Sequence, residues 1–229
     1  YRSGDRRMLQ LAVVNDDMPF LVATIASAIV WRDLLVHRIL HPVIHVTRND
    51  DGEVTDIGEG EPESMIYIEM ERADARVRHA ILADITDSLH HVASAVGDWR
   101  KMQAAMLDDA DKLGNGEGAT LMRWFAQGYM TLLGHEIWFA DGRTDDQMGI
   151  ARHKLAAPIL AERSRQLAIE WFESCGAAPL LLKSNCISTV HRRVPLDLVV
   201  TPINKGGKVI GLSLYAGLWT SGGLHMPTD

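Results

Sequence analysis

The stretch MLQLAVVNDDMPFLVATIASAIV, residues 8–30, decides the fold of the first half of the chain. It begins with a mostly apolar run and continues with Asn15-Asp16-Asp17, a polar group of the kind that ends a strand. Pro19 suits a first helical turn, and the apolar residues after it recur at helical spacing to about Arg32. The stretch therefore predicts a buried strand, a polar turn and a helix with one apolar face.

Three further segments extend this pattern. Residues 36–48 are rich in β-branched side chains and predict a strand, which returns at residues 53–57 after the turn Asn49-Asp50-Asp51-Gly52. Residues 64–70 predict another strand, and apolar residues from Val77 to Val96 mark one face of a long helix. The resulting β-α-β-β-α order is that of a ferredoxin-like half-sandwich whose closing strand is not obvious in the sequence.

A polar, glycine-rich stretch, DDADKLGNGEG at residues 108–118, predicts a boundary between two domains. The second half predicts an antiparallel sheet with helices on one side. Its predicted elements are helices at residues 119–127 and 158–174, a loop at 140–149, and strands at 129–139, 179–184, 196–203 and 209–220. We therefore expect an α+β chain with domains at residues 8–107 and 119–221, a linker at 108–118 and a tail at 222–229.

Composition and charge exclude several classes of protein. The chain has 229 residues and a formal net charge of −7, which disfavours binding to nucleic acid. Its longest apolar run, residues 18–30, is too short to span a bilayer, and no signal peptide is apparent. Two cysteines are too few for a disulfide framework and indicate a reducing cytoplasm. Because the chain begins at Tyr1 rather than Met, we expect a piece of a longer cytoplasmic protein, without nucleic-acid or membrane partners.

Three histidines at four-residue spacing, His37, His41 and His45, suggest a metal site. Pro42 and the β-branched neighbours favour a strand, on which adjacent histidines of this set lie about 13 Å apart. One ion cannot span that distance, because its ligand atoms lie about 2 Å from it. Glycines 114, 116 and 118 lie in the polar linker rather than in a strand-to-helix G-x-G-x-x-G motif. We expect neither a metal ion nor a cofactor in these residues.

A basic cluster stands out in the segment KSNCISTVHRRVPLD, residues 183–197. It contains Lys183, His191, Arg192 and Arg193 in an otherwise acidic chain. Such a cluster can hold a carboxylate or phosphate, or it can pair with acidic residues across an interface. Because most exposed charge clusters are solvated or paired, the interface is favoured over anion binding.

A hydrolase is a further alternative for the same segment. Either Cys175 or Ser188 is then the nucleophile, and His191 is its base. Closeness in sequence is no evidence for the geometry of a catalytic triad, so this hypothesis depends on where the fold places the side chains.

Six motifs resemble the N-terminal region of the large bacterial NAD-specific glutamate dehydrogenases. They cover nearly the whole chain in the family's order: LAVVNDDMPFLV at residues 11–22, ESMIYIEMERAD at 63–74, DWRKMQAAM at 98–106, WFAQGYMTLLG at 124–134, KSNCISTVHRRVPLD at 183–197 and GLWTS at 217–221. The resemblance implies a much longer parent chain that converts L-glutamate, NAD and water to 2-oxoglutarate, ammonium and NADH. It also implies that the dehydrogenase domain, with its NAD, lies outside this chain.

The resemblance implies that the first half is an ACT-like βαββαβ module, the amino-acid-sensing type, and that the second half is PAS-like. Both are regulatory modules, so the expected partners are the rest of the parent chain, other subunits of a homo-oligomer and an amino-acid effector. A free-standing sensor with its ligand in the PAS-like half remains an alternative.

The turn at Asn15, Asp16 and Asp17 is the candidate effector site. Backbone N–H groups at the start of the following helix can hold an effector carboxylate, and the aspartates can hold its amino group. The competing interpretation is that Asp17 only caps the helix, as aspartates often do. Phe20 follows Pro19 where amino-acid-binding ACT domains usually have Gly, and its side chain would occupy space at that loop.

Overall fold

The computed structural model describes residues 2–3, 6–174 and 176–220, with side chains described from residue 8 onward. These residues form two compact units. The first contains the chain up to His90 together with Thr189–Arg193, and the second contains the remainder. Within the described part of the chain, no helix is both long enough and apolar enough to cross a membrane.

The first unit is built on an antiparallel sheet with two helices. Its elements are β1 (Arg2–Ser3), β2 (Arg6–Arg7), β3 (Leu9–Asp16), α1 (Leu21–Val30), β4 (Val36–Leu40), β5 (Val43–Arg48), β6 (Val54–Ile57), β7 (Glu61–Met70) and α2 (Ala75–Leu113), whose later part belongs to the second unit. The strand order is β3-β7-β5-β6, and β4 also pairs with β7.

Burial in this unit follows the sequence pattern. Exposure alternates along β3 residue by residue, as expected for a strand with one covered face. Ile25 and Ile29 of α1, together with Ile66 and Ile68 of β7, are essentially fully buried. The prediction of an α+β, ACT-like fold is confirmed.

Two features of this sheet differ from the predicted pattern. The strand expected over residues 36–48 is divided at His41 and Pro42, because proline has no N–H to donate to the ladder. Of the strands described in this unit, only β7 pairs with β3 in the main sheet. The closing strand of a βαββαβ module is therefore not found among the described residues of this unit.

The second unit contains the end of α2 and a five-stranded antiparallel sheet. Its other elements are α3 (Glu117–Trp124), a π-helical turn (Phe125–Tyr129), β8 (Met130–Phe139), β9 (Thr144–Gly149), a 3-10 turn (Ile150–Arg152), α4 (Glu162–Ser174), β10 (Leu180–Ile187), β11 (Pro195–Lys205) and β12 (Lys208–Trp219). The strand order is β10-β11-β12-β8-β9. The predicted hairpin at residues 204–208 is confirmed by the pairing of β11 with β12.

Two sequence-based assignments in this half need correction. The loop predicted at residues 140–149 contains β9, an edge strand whose outward residues are polar and whose pairing with β8 is made by the backbone. The predicted linker at 108–118 is helical to Leu113 and again from Glu117, because Met106 and Ala110 of α2 are fully buried in the core of this unit. The compact units divide within α2, between His90 and His91, rather than in that polar stretch.

The core of the second unit is filled by side chains. Met106 and Ala110 of α2 pack with Phe125 of the π-helical turn and with Tyr215 of β12, and all are nearly inaccessible. A ligand held between α2 and the sheet would have to displace these groups. This packing counts against the alternative of a sensor with its ligand at that place.

Candidate functional site

The predicted effector turn lies between β3 and α1. Asn15 is half-buried and its amide donates to the Asp16 carbonyl over 2.8 Å, while the side chains of Asp16 and Asp17 are exposed. The Asp17 N–H donates to the Pro62 carbonyl over 2.9 Å, which fastens the turn to the start of β7. The three predicted residues therefore lie together at one end of the sheet, with two carboxylates open to solvent.

Asp17 is part of a hydrogen-bond chain that the sequence did not indicate. The Ser64 hydroxyl donates to Asp17 Oδ1 over 2.5 Å and lies 2.8 Å from His41 Nε2. A hydroxyl group can donate only one hydrogen bond. Because Ser64 donates its hydrogen bond to Asp17, His41 Nε2–H must be the donor in the contact between His41 and Ser64. The other nitrogen of a neutral His41 is then an acceptor. Ser64 is fully buried, whereas His41 and Asp17 are exposed.

The interpretation of Asp17 as a helix cap is wrong. The N-cap residue of α1 is Phe20, and no side chain caps the helix. Phe20 has φ 75° and ψ −7°, the left-handed conformation that glycine adopts most readily. Phe20, at the position where amino-acid-binding ACT domains usually have glycine, thus has a backbone conformation typical of glycine although it carries a phenyl ring. Since no side chain caps this end, the first N–H groups of α1 are candidates for contact with an anion.

A groove lies on the sheet face that includes the outward residues of β3. Its volume is about 610 Å³, and its lining includes Ala12, Val14, Leu40, His41, Met65 and Tyr67. Val14 and Leu40 are each more than half exposed, which is unusual for large apolar side chains on a sheet. His41 therefore joins the Ser64–Asp17 chain to an otherwise apolar surface.

The predicted basic cluster is divided between the two units. Lys183 of β10 forms an ion pair with Asp197 of β11 and lies 5.7 Å from the centre of the Trp219 ring. The other three members lie in residues 189–193, which belong to the first unit. Interface pairing or anion binding by this cluster stays a prediction.

Residues 189–193 are held by α1 and α2. The His191 N–H donates to Thr24 Oγ1 over 2.8 Å, and the Arg193 N–H donates to Ser27 Oγ over 3.1 Å. The His191 ring lies 5.6 Å from the Phe20 ring. Sequence reasoning identified the basic residues but not their contacts.

Burial dominates the electrostatics of this segment. It lowers the pKa of His191, and the neighbouring Arg192 lowers it further. Burial also lowers the pKa of Arg193; the Asp84 carboxylate opposes this shift and Arg32 adds to it. Arg32 and Asp84 form an ion pair of 2.7 Å. The segment therefore places a partly desolvated guanidinium near an existing ion pair.

The hydrolase hypothesis gains no geometric support from the described residues. Cys175 lies outside them, and Ser188 is 1% exposed, so a substrate cannot reach its hydroxyl in this conformation. Burial raises the pKa of the Cys186 thiol, which keeps it protonated and unreactive. No group of three or more histidine, cysteine, aspartate or glutamate side chains suited to a metal ion is found in the part of the chain that is described.

The second unit contains a buried polar network around Asp109. The Tyr215 hydroxyl donates to Asp109 Oδ2 over 2.7 Å, and the Tyr215 ring stacks on His135 at 4.5 Å. Burial by itself raises the pKa of Asp109, but hydrogen bonds from Ser213, Tyr215 and Lys112 outweigh it and hold the pKa below its usual value. This network joins α2 to the sheet and is remote in sequence from any predicted site residue.

The chain is similar to known glutamate dehydrogenases along most of its length. Residues 5–85 match the family described as "Glutamate dehydrogenase, ACT1 domain". The NAD-specific glutamate dehydrogenase of Halomonas elongata is 28% identical over 92% of this chain, and that of Pseudomonas aeruginosa is 26% identical over 91%. The resemblance to NAD-specific glutamate dehydrogenases is confirmed. The chain spans about 15% of the length of each of these relatives.

The ACT1 segment contains the whole candidate site. Residues 5–85 include the effector turn, His41, Ser64 and Phe20, and the match ends within α2, before the division between the units. Thr189–Arg193 belongs to the first unit but lies outside the residues that match the ACT1 family.

Proposed function

We propose that this chain is a non-catalytic regulatory and subunit-contact region, at the N-terminal end of a large cytoplasmic NAD-dependent glutamate dehydrogenase. The parent enzyme oxidises L-glutamate with NAD and water to 2-oxoglutarate, ammonium and NADH. NAD binds in the absent catalytic domain, and the second unit of this chain is PAS-like. Coupling between an effector site here and the catalytic site is allostery in the strict sense.

The extent of the similarity to glutamate dehydrogenases is the main support for this proposal. The similarity extends over more than nine-tenths of this chain but over only about 15% of each glutamate dehydrogenase, and it includes an ACT1 segment. A segment that is so small a part of a long enzyme, and that matches an ACT domain, suits a regulatory role better than a catalytic one.

The turn between β3 and α1 is proposed to bind an amino acid. Asp16 and Asp17 are exposed carboxylates that can hold its ammonium group, and the uncapped N–H groups of α1 can hold its carboxylate. The groove beside His41 offers an apolar surface for the side chain. The phenyl ring of Phe20 restricts the space at this turn, which favours a ligand bound from the groove side.

Calorimetric titration of the chain with glutamate, aspartate, other amino acids and NAD tests the proposal. Binding of an amino acid that is lost in Asp17→Asn but kept in Asp50→Asn, a matched change in an exposed hairpin turn, supports sensing at this site. Absence of amino-acid binding leaves subunit contact as the function and removes the effector. Binding of NAD contradicts the proposal, because it would place a dinucleotide site in this chain.

A further inference from the structure

Two residues with strained backbones face each other in the first unit. Phe20 has φ 75° and His191 has φ 65°, a region that large L-residues rarely adopt. At His191 the Arg192 N–H donates to the Val190 carbonyl over 2.8 Å, which makes a γ-turn of the rare kind with positive φ at its centre. Such strain persists only where surrounding contacts impose it, and here the two rings contact each other.

The spacing of acceptors on α1 matches that of donors on the segment. Thr24 and Ser27 are three residues apart and therefore lie on one side of the helix. Their hydroxyl oxygens accept from the N–H groups of His191 and Arg193, which are two residues apart. Helix α1 thus binds the backbone of residues 191–193 in a defined register.

Side chains fix the orientation of the segment. Val190 is fully buried, and the Arg193 guanidinium lies 3.3 Å from the Ser88 hydroxyl of α2. The Ser88 hydroxyl contacts this guanidinium, and the nearby Asp84 carboxylate forms its ion pair with Arg32. Release of the segment therefore breaks a contact to a hydroxyl group rather than that ion pair.

The segment can leave α1 without opening its own base. The Ser188 N–H donates to the Val194 carbonyl over 2.9 Å, so the ends of the loop are held together independently of the contacts at its tip. Release relaxes the strain at both His191 and Phe20. Opposing strain and docking contacts are the ingredients of an element with two states.

We propose that residues 189–193 form a releasable latch on the amino end of α1, and that the latch sets the conformation of the turn at Phe20. Docked, the latch holds Phe20 in its left-handed conformation next to the proposed effector turn; released, it frees that turn. The regulatory meaning of the latch rests on the proposed function, whereas its opening does not.

Residue-resolved hydrogen exchange on the complete 229-residue chain tests the latch. We expect the amides of His191, Arg193 and Thr24 to exchange at least about 100-fold faster than the amides of β7, through an opening that does not depend on denaturant concentration. Exchange of these amides only together with β7, with the same dependence on denaturant, overturns the latch, since the segment is then part of the global core.

Variants add an independent measurement. The double change Thr24→Val and Ser27→Ala removes both acceptors, and we expect exchange of the His191 and Arg193 amides to rise at least about tenfold. Ser94→Ala is the matched control, because it removes a serine hydroxyl of α2 that lies 2.7 Å from the His153 ring and makes no hydrogen bond with residues 189–193 in the described structure. Unchanged exchange in the double variant, or an equal rise in the control, overturns the latch. If the double variant does not fold, the wild-type measurement decides alone.

The role of the latch in regulation is tested separately. An amino acid that binds by calorimetry is added to the wild-type chain, and its effect on exchange of the His191 amide is measured. A change of at least about threefold supports coupling between the turn and the latch. No change in the presence of a bound amino acid overturns that coupling. If no amino acid binds, the effector proposal fails while the opening of the latch is still decided by the exchange of the wild-type chain.

Discussion

Replacement of Tyr215 by phenylalanine removes one hydroxyl group from the core of the second unit. Tyr215 is fully buried, and its hydroxyl is 2.7 Å from Asp109 Oδ2. Phenylalanine keeps the ring stacked on His135 and removes the donor to the Asp109 carboxylate, together with the hydrogen bond between this hydroxyl and Ser213. A hydrogen bond to a charged group contributes about 1.5–3 kcal/mol, so we expect the free energy of unfolding to fall by about 2 kcal/mol. With an m-value of about 2 kcal/mol/M, the urea midpoint decreases by about 1 M.

The pH dependence of this effect provides a second test. The folded-state pKa of Asp109 lies below its unfolded value, so its contribution to stability is present above the unfolded pKa, about 3.9, and is lost as pH falls through the folded pKa. The difference between wild type and Tyr215→Phe is therefore expected to be full at pH 7 and to shrink below about pH 4. Tyr129→Phe is the control, since Tyr129 is only half-buried and stacks on Trp124. A loss under about 0.5 kcal/mol at pH 7, or the same loss in the control, would refute the reasoning.

Three further changes have expected outcomes. Ser64→Ala removes the hydroxyl that joins Asp17 to His41, and urea unfolding is expected to show a loss of about 1–3 kcal/mol, together with weaker amino-acid binding by calorimetry. Burial lowers the folded-state pKa of His135, so stability is lost as pH falls below the unfolded value of about 6.5; unfolding between pH 7.5 and 5.5 should depend less on pH in His135→Phe. Asp98→Asn removes the charge that pairs with Arg152 at 2.7 Å and weakens the acceptor of the Gly149 N–H at 3.0 Å. The free energy of unfolding in urea is expected to fall by about 1–3 kcal/mol. An unchanged urea midpoint would show that the carboxylate charge is not needed.

Local sequence patterns predicted most of the helices and strands. The strand before Asn15 and the helix after Phe20 were predicted because alternation and helical periodicity are properties of short windows of sequence. The hairpin at residues 204–208 was predicted for the same reason, since turn residues act on their immediate neighbours. β9 was missed because an edge strand with polar residues has no distinctive period, and its stability comes from pairing with β8.

The candidate site shows where local reasoning ends. The effector turn could be proposed from its own residues, but Ser64 and His41 could not. Strand register brings Ser64 and His41 to the turn, because Ser64 of β7 pairs with Asn15 of β3 on one side and with Val43 of β5, two residues after His41, on the other. His41 was noted in the sequence only as one of three regularly spaced histidines, not as a neighbour of the turn. Nothing near Ser64 in the sequence indicates that its hydroxyl would meet a carboxylate 47 positions away.

The sequence by itself determined the class of fold, the resemblance to glutamate dehydrogenases and the position of the turn that follows β3. Each depends on runs of residues that are contiguous in the chain. Only the tertiary structure decided that Asp17 bonds to Ser64 instead of capping α1, that α2 extends into the polar stretch as far as Leu113, and that Thr189–Arg193 belongs to the first unit. These outcomes depend on which distant groups are buried together, because burial makes an unpaired donor or a lost contact costly, and sequence spacing does not encode that.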